Sequence, residues 1–361
     1  MIHFNDKQWD RVIDNYRKWR KGELGRPILP LVITGADAGR PMPKTPLLSL
    51  SNCADFSIPA AAVIDRIDYE LSTYEFYGDS FPWVGMHQFG AGVAAAFLGA
   101  IPESDRNTVW FHPPKNKVPI EELHFKYDEN NLWLQRIKEI YREGVKKWGD
   151  SVCMSMTDIG GGMDILASFL TTEGLLFEVI DNPGEVLRLC REITDLWLKF
   201  FEELGEIIKG QRVFSDWSSM LSEKPGYMLQ CDFCYMISPQ MFNDFVYEDL
   251  QKISGKLENA FYHLDGIGEL PHLDSLLTID SIKGIQWIPG DGEPEKRDWS
   301  DLYRKISASG KKIMAGYRMD RYLDEILKVI NKPDELIKMQ FSYAMNEKED
   351  ALKNLARYGA M

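Results

Sequence analysis

Two side chains that can bind a metal or move a proton stand two residues apart at the end of a short apolar run, Ala260-Phe261-Tyr262-His263-Leu264-Asp265-Gly266. Alternate residues of an extended strand face the same way, so His263 and Asp265 point to one side. Such a pair suits a metal ligand set, or a general acid with its orienting carboxylate. A histidine hydrogen-bonded to a carboxylate in a purely structural role is the plainer alternative. His272 and Asp274 follow a few residues later. Asp232 ends an earlier apolar run within Cys231-Asp232-Phe233-Cys234, and joins His263 and Asp265 as a catalytic candidate. The Cys-x-x-Cys has no second pair to complete a zinc site. Asp158 precedes Gly160-Gly161-Gly162, a run that either admits a ligand to a helix N-terminus or serves tight packing. Gln286 and Trp287 end another run and Tyr317 the next, and His87 and Gln88 end an early one. An amide over an aromatic floor suits a flat or apolar small molecule, with a place in the core as the alternative for Trp287. The substrate-binding candidates are therefore Gln286, Trp287, Tyr317, His87 and Asp158.

The elements that must position these groups alternate along the chain. Strands are expected at Ile28–Ile33, Phe81–Met86, Val152–Met156, Gly226–Gln230, Ala260–Tyr262, Gly284–Ile288, Ile313–Gly316 and Leu336–Phe341. A further short strand at Thr108–Phe111 is expected to form a hairpin with the Lys126 region. Helices are expected at Pro59–Tyr77, Ala91–Leu98, Asn130–Trp148, Pro183–Ile208 and Asp320–Ile330, from Met163, from Ser238-Pro239 and from Glu347. A short helical segment is expected at Leu270–Leu277. An amphipathic N-terminal helix capped by Asp6 carries Trp9, Val12, Ile13 and Tyr16 at spacings of three and four. Residues 35–56, rich in Gly, Pro and Ser, read as a long loop over the active face. Eight buried strands alternating with helices predict an α/β fold, a (β/α)8 TIM barrel, with chemistry on the loops leaving the strand C-termini. Residues 1–27 form a helical extension and 28–361 the barrel.

The bulk numbers narrow the function. Among 361 residues, 44% are hydrophobic and the formal net charge is −13. A general nucleic-acid binder or membrane-surface protein carries the opposite sign or a basic patch, and the short basic clusters here fit solvated helix faces. Five cysteines do not make a disulfide framework, no stretch approaches 18 apolar residues, and the N-terminus is charged from residue 6. A cytoplasmic protein is expected.

From about Leu31 to the C-terminus the chain resembles the uroporphyrinogen decarboxylase-like family, which includes corrinoid-dependent methyltransferases. The likeness lies in Asp79-x-Phe81-Pro82, Gly162-x-Asp164-Ile165-Leu166, Asp181-Asn182-Pro183, Met236-Ile237-Ser238-Pro239-x-x-Phe242, His263-x-Asp265-Gly266 and Glu349-Asp350-Ala351-Leu352. The resemblance implies a (β/α)8 barrel, in agreement with the strand count. Members that decarboxylate uroporphyrinogen carry an N-terminal arginine pair for their acidic substrate; here Arg40 stands alone. Members that methylate thiols bind zinc through His-x-Cys-Gly and a later Cys. In this chain Asp265 takes the place of the first Cys, and no Cys follows Cys234.

The resemblance then implies a methyltransferase that moves a methyl group from a small methylated donor to the cobalt of a separate corrinoid protein. That donor would be a methoxy-aromatic compound, another ether or a methylamine. His263, Asp265 and Asp232 would protonate the leaving group, or His263 and Asp265 would hold zinc or another divalent metal for it. A decarboxylase acting on a tetrapyrrole or small acid is the alternative. A non-catalytic barrel that binds a corrinoid or tetrapyrrole is a second.

Overall fold

The apolar runs become strands in the expected chain order. The computed structural model describes residues 1–105, 107–116, 118–290, 298–316 and 322–361. Its strands are β1 (Pro30–Thr34), β2 (Tyr74–Gly78), β3 (Trp83–Val84), β4 (Ile101–Ser104), β5 (Val109–His112), β6 (Cys153–Met154), β7 (Gly226–Gln230), β8 (Asn259–Asp265), β9 (Ile282–Ile288), β10 (Lys312–Ala315), β11 (Leu336–Lys338) and β12 (Phe341–Ala344). β7 to β11 lie in sequence order in one five-stranded sheet, and its pairs are all parallel. β1 pairs parallel with β12 and antiparallel with β2, and β3 pairs parallel with β6. A parallel bridge between Ile28 and Ile337 links the β1 side to β11.

This is a mixed α/β fold with parallel sheets, but among the described residues the sheets do not close into the expected continuous barrel. Buried backbone groups must find partners, and where the ladder stops side chains supply them. Tyr141 Oη donates to Ser155 O at 2.7 Å and accepts from Thr157 N–H at 2.8 Å. Ser155 Oγ donates to Val84 O at 2.8 Å and Thr157 Oγ1 to Met86 O at 2.9 Å. Between β6 and β7, the Asp216 carboxylate accepts Met228 N–H at 2.6 Å and Trp217 Nε1 donates to Met228 O at 3.1 Å.

Three local expectations also change. The helix expected over Pro59–Tyr77 stops at Ser72, because the alternating Tyr74 and Phe76 pair as β2 against β1. The 108–111 strand forms its hairpin with Ile101–Ser104 and not with the Lys126 region, since Asp105 turns the chain by accepting the N–H groups of Asn107 and Thr108. The N-terminal helix, Asp6–Lys21, is capped by Asn5 in a reciprocal box with Gln8.

That helix closes the end of the molecule opposite the candidate site. Trp9, Val12, Tyr16 and Trp19 are buried, and Trp19 Nε1 donates to Leu336 O, at the start of β11, at 3.0 Å. Lys312, the first residue of β10, reaches Trp19 O at 3.0 Å. Fully buried Asp79 ties the extension to the body, accepting from Arg26 at 2.6 and 2.9 Å, Asn15 at 2.8 Å and Leu29 N–H at 2.9 Å. Breaking a buried ion pair from one side strands the other charge, at about 3–5 kcal/mol. Asp79→Ala is therefore expected to lower the urea midpoint by that equivalent at unchanged slope. A loss below about 1 kcal/mol would show that the pair behaves as a surface one. Among the described residues, no helix is long and apolar enough to cross a membrane.

Candidate functional site

Parallel pairing sets β8 in the middle of the large sheet with Gln230, His263 and Gln286 in register across β7, β8 and β9. The strand C-termini carry Gln230 and His263 to a cavity of about 540 Å³, within the range of small-molecule sites, with Gln286 behind them. Asp158, Asp232, His263 and Asp265 stand on its wall with His87 and Trp217. Among the described residues that line it there is no Lys or Arg.

Asp232, His263 and Asp265 each offer one ligand atom, and these atoms lie within 4.8 Å of one another. His263 Nε2 is 3.5 Å from Asp265 Oδ2. Its other nitrogen, Nδ1, hydrogen-bonds Gln286 Oε1. The Gln286 amide is oriented by its NH2, which donates to Met339 Sδ at 2.9 Å and Met314 Sδ at 3.3 Å, so its oxygen faces the imidazole. Nδ1–H thus donates to Gln286, and Nε2 faces a carboxylate oxygen. A bare lone pair at Nε2 would oppose another lone pair, so the geometry calls for a proton on Nε2 or a cation between the two groups. Burial alone would disfavour the imidazolium, but the Asp265 hydrogen bond, the Asp232 and Asp265 charges and Gln286 outweigh it, and the His263 pKa lies above the ordinary 6.5. Trp217 meets the imidazole edge to face, with ring centroids 5.4 Å apart.

The 3.5 Å separation also equals, to within a few tenths of an ångström, the edge of a tetrahedral site with metal bonds of about 2.0–2.2 Å. One imidazole and two carboxylates with a hydrogen-bonded second nitrogen therefore fit a divalent ion. The thiols do not contribute: Cys231 and Cys234 are buried, the hydrogen bond with Cys234 together with burial raises the Cys231 pKa, and burial pushes that of Cys234 up to about 11 against the opposing effect of the same bond, so both are neutral thiols.

Surrounding carboxylates hold the trio in place. The Asp164 carboxylate accepts Asp232 N–H at 3.1 Å and Phe233 N–H at 2.8 Å, fixing the turn that carries Asp232. Asp158 Oδ1 accepts from Gln230 Nε2 at 3.1 Å and Gly92 N–H at 3.3 Å. Burial pushes the Asp158 pKa up to about 7, partly offset by the Gly92 N–H, with the Asp232 charge adding to the rise. The nearby glycines serve packing: a side chain on Gly160 would meet Gly92 Cα at 2.4 Å, and one on Gly161 would meet Gln230 O at 2.2 Å.

The other sequence candidates divide. His87 lines the cavity, stacked on Trp83 at 6.5 Å, and burial lowers its pKa. Gln286 is fully buried behind His263, so it orients the imidazole and does not face the cavity. Trp287, its neighbour in β9, must point to the opposite face; it is 2% exposed and packs edge to face on Trp299 at 4.9 Å, a core residue. Tyr317 lies outside the described residues. His272 is buried, stacked on Phe242 and bound to Cys234 O at 2.8 Å, and Asp274 pairs with Lys305 at the surface. Trp83, Trp217, Gln230, Met339 and Gln340 line the cavity without having been singled out. Trp217 follows the short apolar pair Val213-Phe214, the one signal that marked its segment. Leu50 brings the long loop to the mouth.

No family model matches the chain, and no curated protein matches it. Among solved structures it is similar in fold to a methyltransferase from Methanosarcina mazei, with a TM-score of 0.56 and 13% identity over 96% of this chain and 99% of that one.

Proposed function

We propose that this protein is a methyltransferase that binds a small methylated donor in the 540 Å³ cavity and passes its methyl group to the cobalt of a corrinoid protein. The observation that carries the reading is His263 Nε2, held towards Asp265 and Asp232 by the Gln286 hydrogen bond and presented to the cavity. The fold neighbour is named a methyltransferase, and the sequence resemblance points the same way.

The chemical problem is the leaving group. As the methyl–oxygen bond of an ether breaks, its electron pair stays on oxygen, while the electron pair of reduced cobalt forms the new cobalt–carbon bond. An alkoxide or phenolate leaves slowly unless it takes a proton, since even a phenol has a pKa of about 10. His263 Nε2 donates that proton, Asp232 and Asp265 stabilise the imidazolium beforehand, and Asp265, more than a third exposed, connects it to solvent for reprotonation. If a divalent ion is bound, Asp232, His263 and Asp265 hold it, and it supplies Lewis acidity at the same leaving atom. Gln286 keeps the ring oriented in either case.

An acidic cavity wall weighs against the decarboxylase alternative, because a polycarboxylate would be buried against Asp158, Asp232 and Asp265 without a described Lys or Arg to pair it. The test is incubation with a reduced corrinoid protein and a panel of methoxylated aromatics, alkyl ethers and methylamines. At least one donor is expected to give the methyl–cobalt absorption; silence across the panel would overturn the reading.

A further inference from the structure

Asp158 lines the cavity of about 540 Å³ but stands outside the trio of Asp232, His263 and Asp265 whose ligand atoms converge, so a proton or an ion held there leaves it free. Its two oxygens differ. Oδ1 accepts from Gln230 Nε2 at 3.1 Å, from Gly92 N–H at 3.3 Å and from Tyr227 Oη at 3.5 Å. Tyr227 Oη itself accepts Ile159 N–H at 2.7 Å, which leaves its hydrogen for the carboxylate. Oδ2 has no partner among the described residues, and it is not one of the enclosed unpartnered atoms, so its accessible surface opens on the cavity that Asp158 lines. A side chain only 5% exposed, with one oxygen fixed by three donors and the other bare, is a positioned acceptor for a ligand.

The rest of the wall says what that ligand group is. Three carboxylates, Asp158, Asp232 and Asp265, stand with one imidazole that favours its protonated form, His263; burial holds His87 towards neutrality, and no described lining residue is Lys or Arg. An anionic group would be left unpaired there, and a hydroxyl could meet Oδ2 but would leave the excess negative charge in place. With Oδ1 already taken, a single free oxygen suits the point charge of an ammonium and not the two-pronged fork of a guanidinium. Trp83 and Trp217 stand on the same wall, and the Trp217 N–H is spent on Met228 O at 3.1 Å, so its ring adds apolar and π surface without a competing donor. We propose that Asp158 selects a methyl ether donor that carries a protonated amine, the ammonium N–H donating to Oδ2 while the ether oxygen lies at His263.

The occupant rests on the donor-site reading above, and measuring binding apart from turnover keeps the two separable. Affinities of 3-methoxybenzylamine, 3-methoxybenzyl alcohol and 3-methoxybenzoate are measured by calorimetry for the full chain, for Asp158→Asn and for Asp265→Asn. The measurements are made at pH 8, where the amine keeps its proton and Asp158, with a pKa of about 7, has lost its own. The amine is expected to bind the wild type about tenfold or more tighter than the alcohol, the size of one hydrogen bond to a charged group, and the benzoate weakest. Asn at position 158 can keep its oxygen on Gly92 and Gln230, which turns its NH2 towards the ligand in place of Oδ2, so the amine preference should collapse. Asp265→Asn, which lowers the wall's charge by the same amount elsewhere, should keep most of that preference. Equal affinity for amine and alcohol, no measurable binding of the amine, or a preference that survives Asp158→Asn would overturn the assignment. An amine preference that depends on Asp158 without methyl transfer would remove the reaction and leave the subsite standing; methyl transfer without the preference would do the reverse.

Discussion

Replacing His263 with alanine is expected to slow methyl transfer from an ether donor by about 10²- to 10⁴-fold, the usual contribution of a positioned general acid. The size of the loss should follow the leaving group. An alkyl ether releases the most basic oxygen and should lose most; an aryl ether, leaving as a phenolate whose conjugate acid has a pKa of about 10, should lose less. A quaternary ammonium donor leaves as a neutral amine, needs no proton, and should lose least. Gln286→Leu should give a smaller loss with the same ordering, because it frees the imidazole that the amide now orients through Nδ1. Single-turnover rates across the three donor classes measure this. An equal loss for all three would mean that His263 only positions the donor, and the proton-transfer role would fall. Circular dichroism of each variant separates loss of fold from loss of chemistry.

The second large effect concerns stability. Asp158 is 5% exposed, and its pKa is pushed up to about 7 from an ordinary 3.8, mainly by burial. An acid raised in this way keeps its proton in the folded chain over a pH range where the unfolded chain has lost it. Between about pH 4 and 7 the folded state therefore binds more protons, and stability must fall as pH rises. Asp216 is pushed up to about 6, again mainly by burial, and acts with the same sign. The protein is thus expected to be more stable at pH 6 than at pH 8, the reverse of ordinary acid unfolding. Asp158→Asn removes the buried charge, and its side-chain oxygen can still accept from Gly92 N–H and Gln230. At about 1.4 kcal/mol per pH unit, the interval from 3.8 to about 7 caps the gain at about 4 kcal/mol, and relaxation around the charge reduces it to about 2 kcal/mol. Urea unfolding at pH 8 should show a higher midpoint for the variant, with the difference shrinking towards pH 5. A variant less stable than wild type at pH 8 would mean that the Asp158 hydrogen bonds outweigh the cost of burying its charge. Such stabilisation on removing a site carboxylate is the usual mark of a functional position.

What could be read from residues alone was whatever obeys a strand or helix period. His263 and Asp265 share a face because they are two apart, and the structure places them together on β8. Asp232 joins them because β7 neighbours β8 in the same sheet, which a parallel alternation of strands implies. The same parity rule shows why Gln286 and Trp287 could not both serve the cavity: adjacent residues of a strand face opposite ways, and register with His263 sends Gln286 inward. Trp217 escaped notice because its segment lacks a strand pattern; Ser215, Asp216, Ser218 and Ser219 are buried polar residues, and Asp216 is satisfied by Ser218 and Met228. For the same reason the strand count overestimated closure, since side chains replace ladder hydrogen bonds between β3, β6 and β7. Trp83 and Gln340 meet at the cavity wall from positions more than 250 residues apart, a proximity that no local pattern encodes.

The most direct measurement supplies chemically reduced cob(I)alamin as the acceptor, so that no partner protein has to be identified first, and a donor whose methyl group is deuterated. The wild-type protein is expected to convert the cob(I)alamin absorption to that of methylcobalamin with all three deuteriums retained, and His263→Ala to do so at least 10²-fold more slowly from an ether. Cobalamin that binds the wild-type protein but gains no deuterated methyl group from ethers or amines would contradict the proposed reaction.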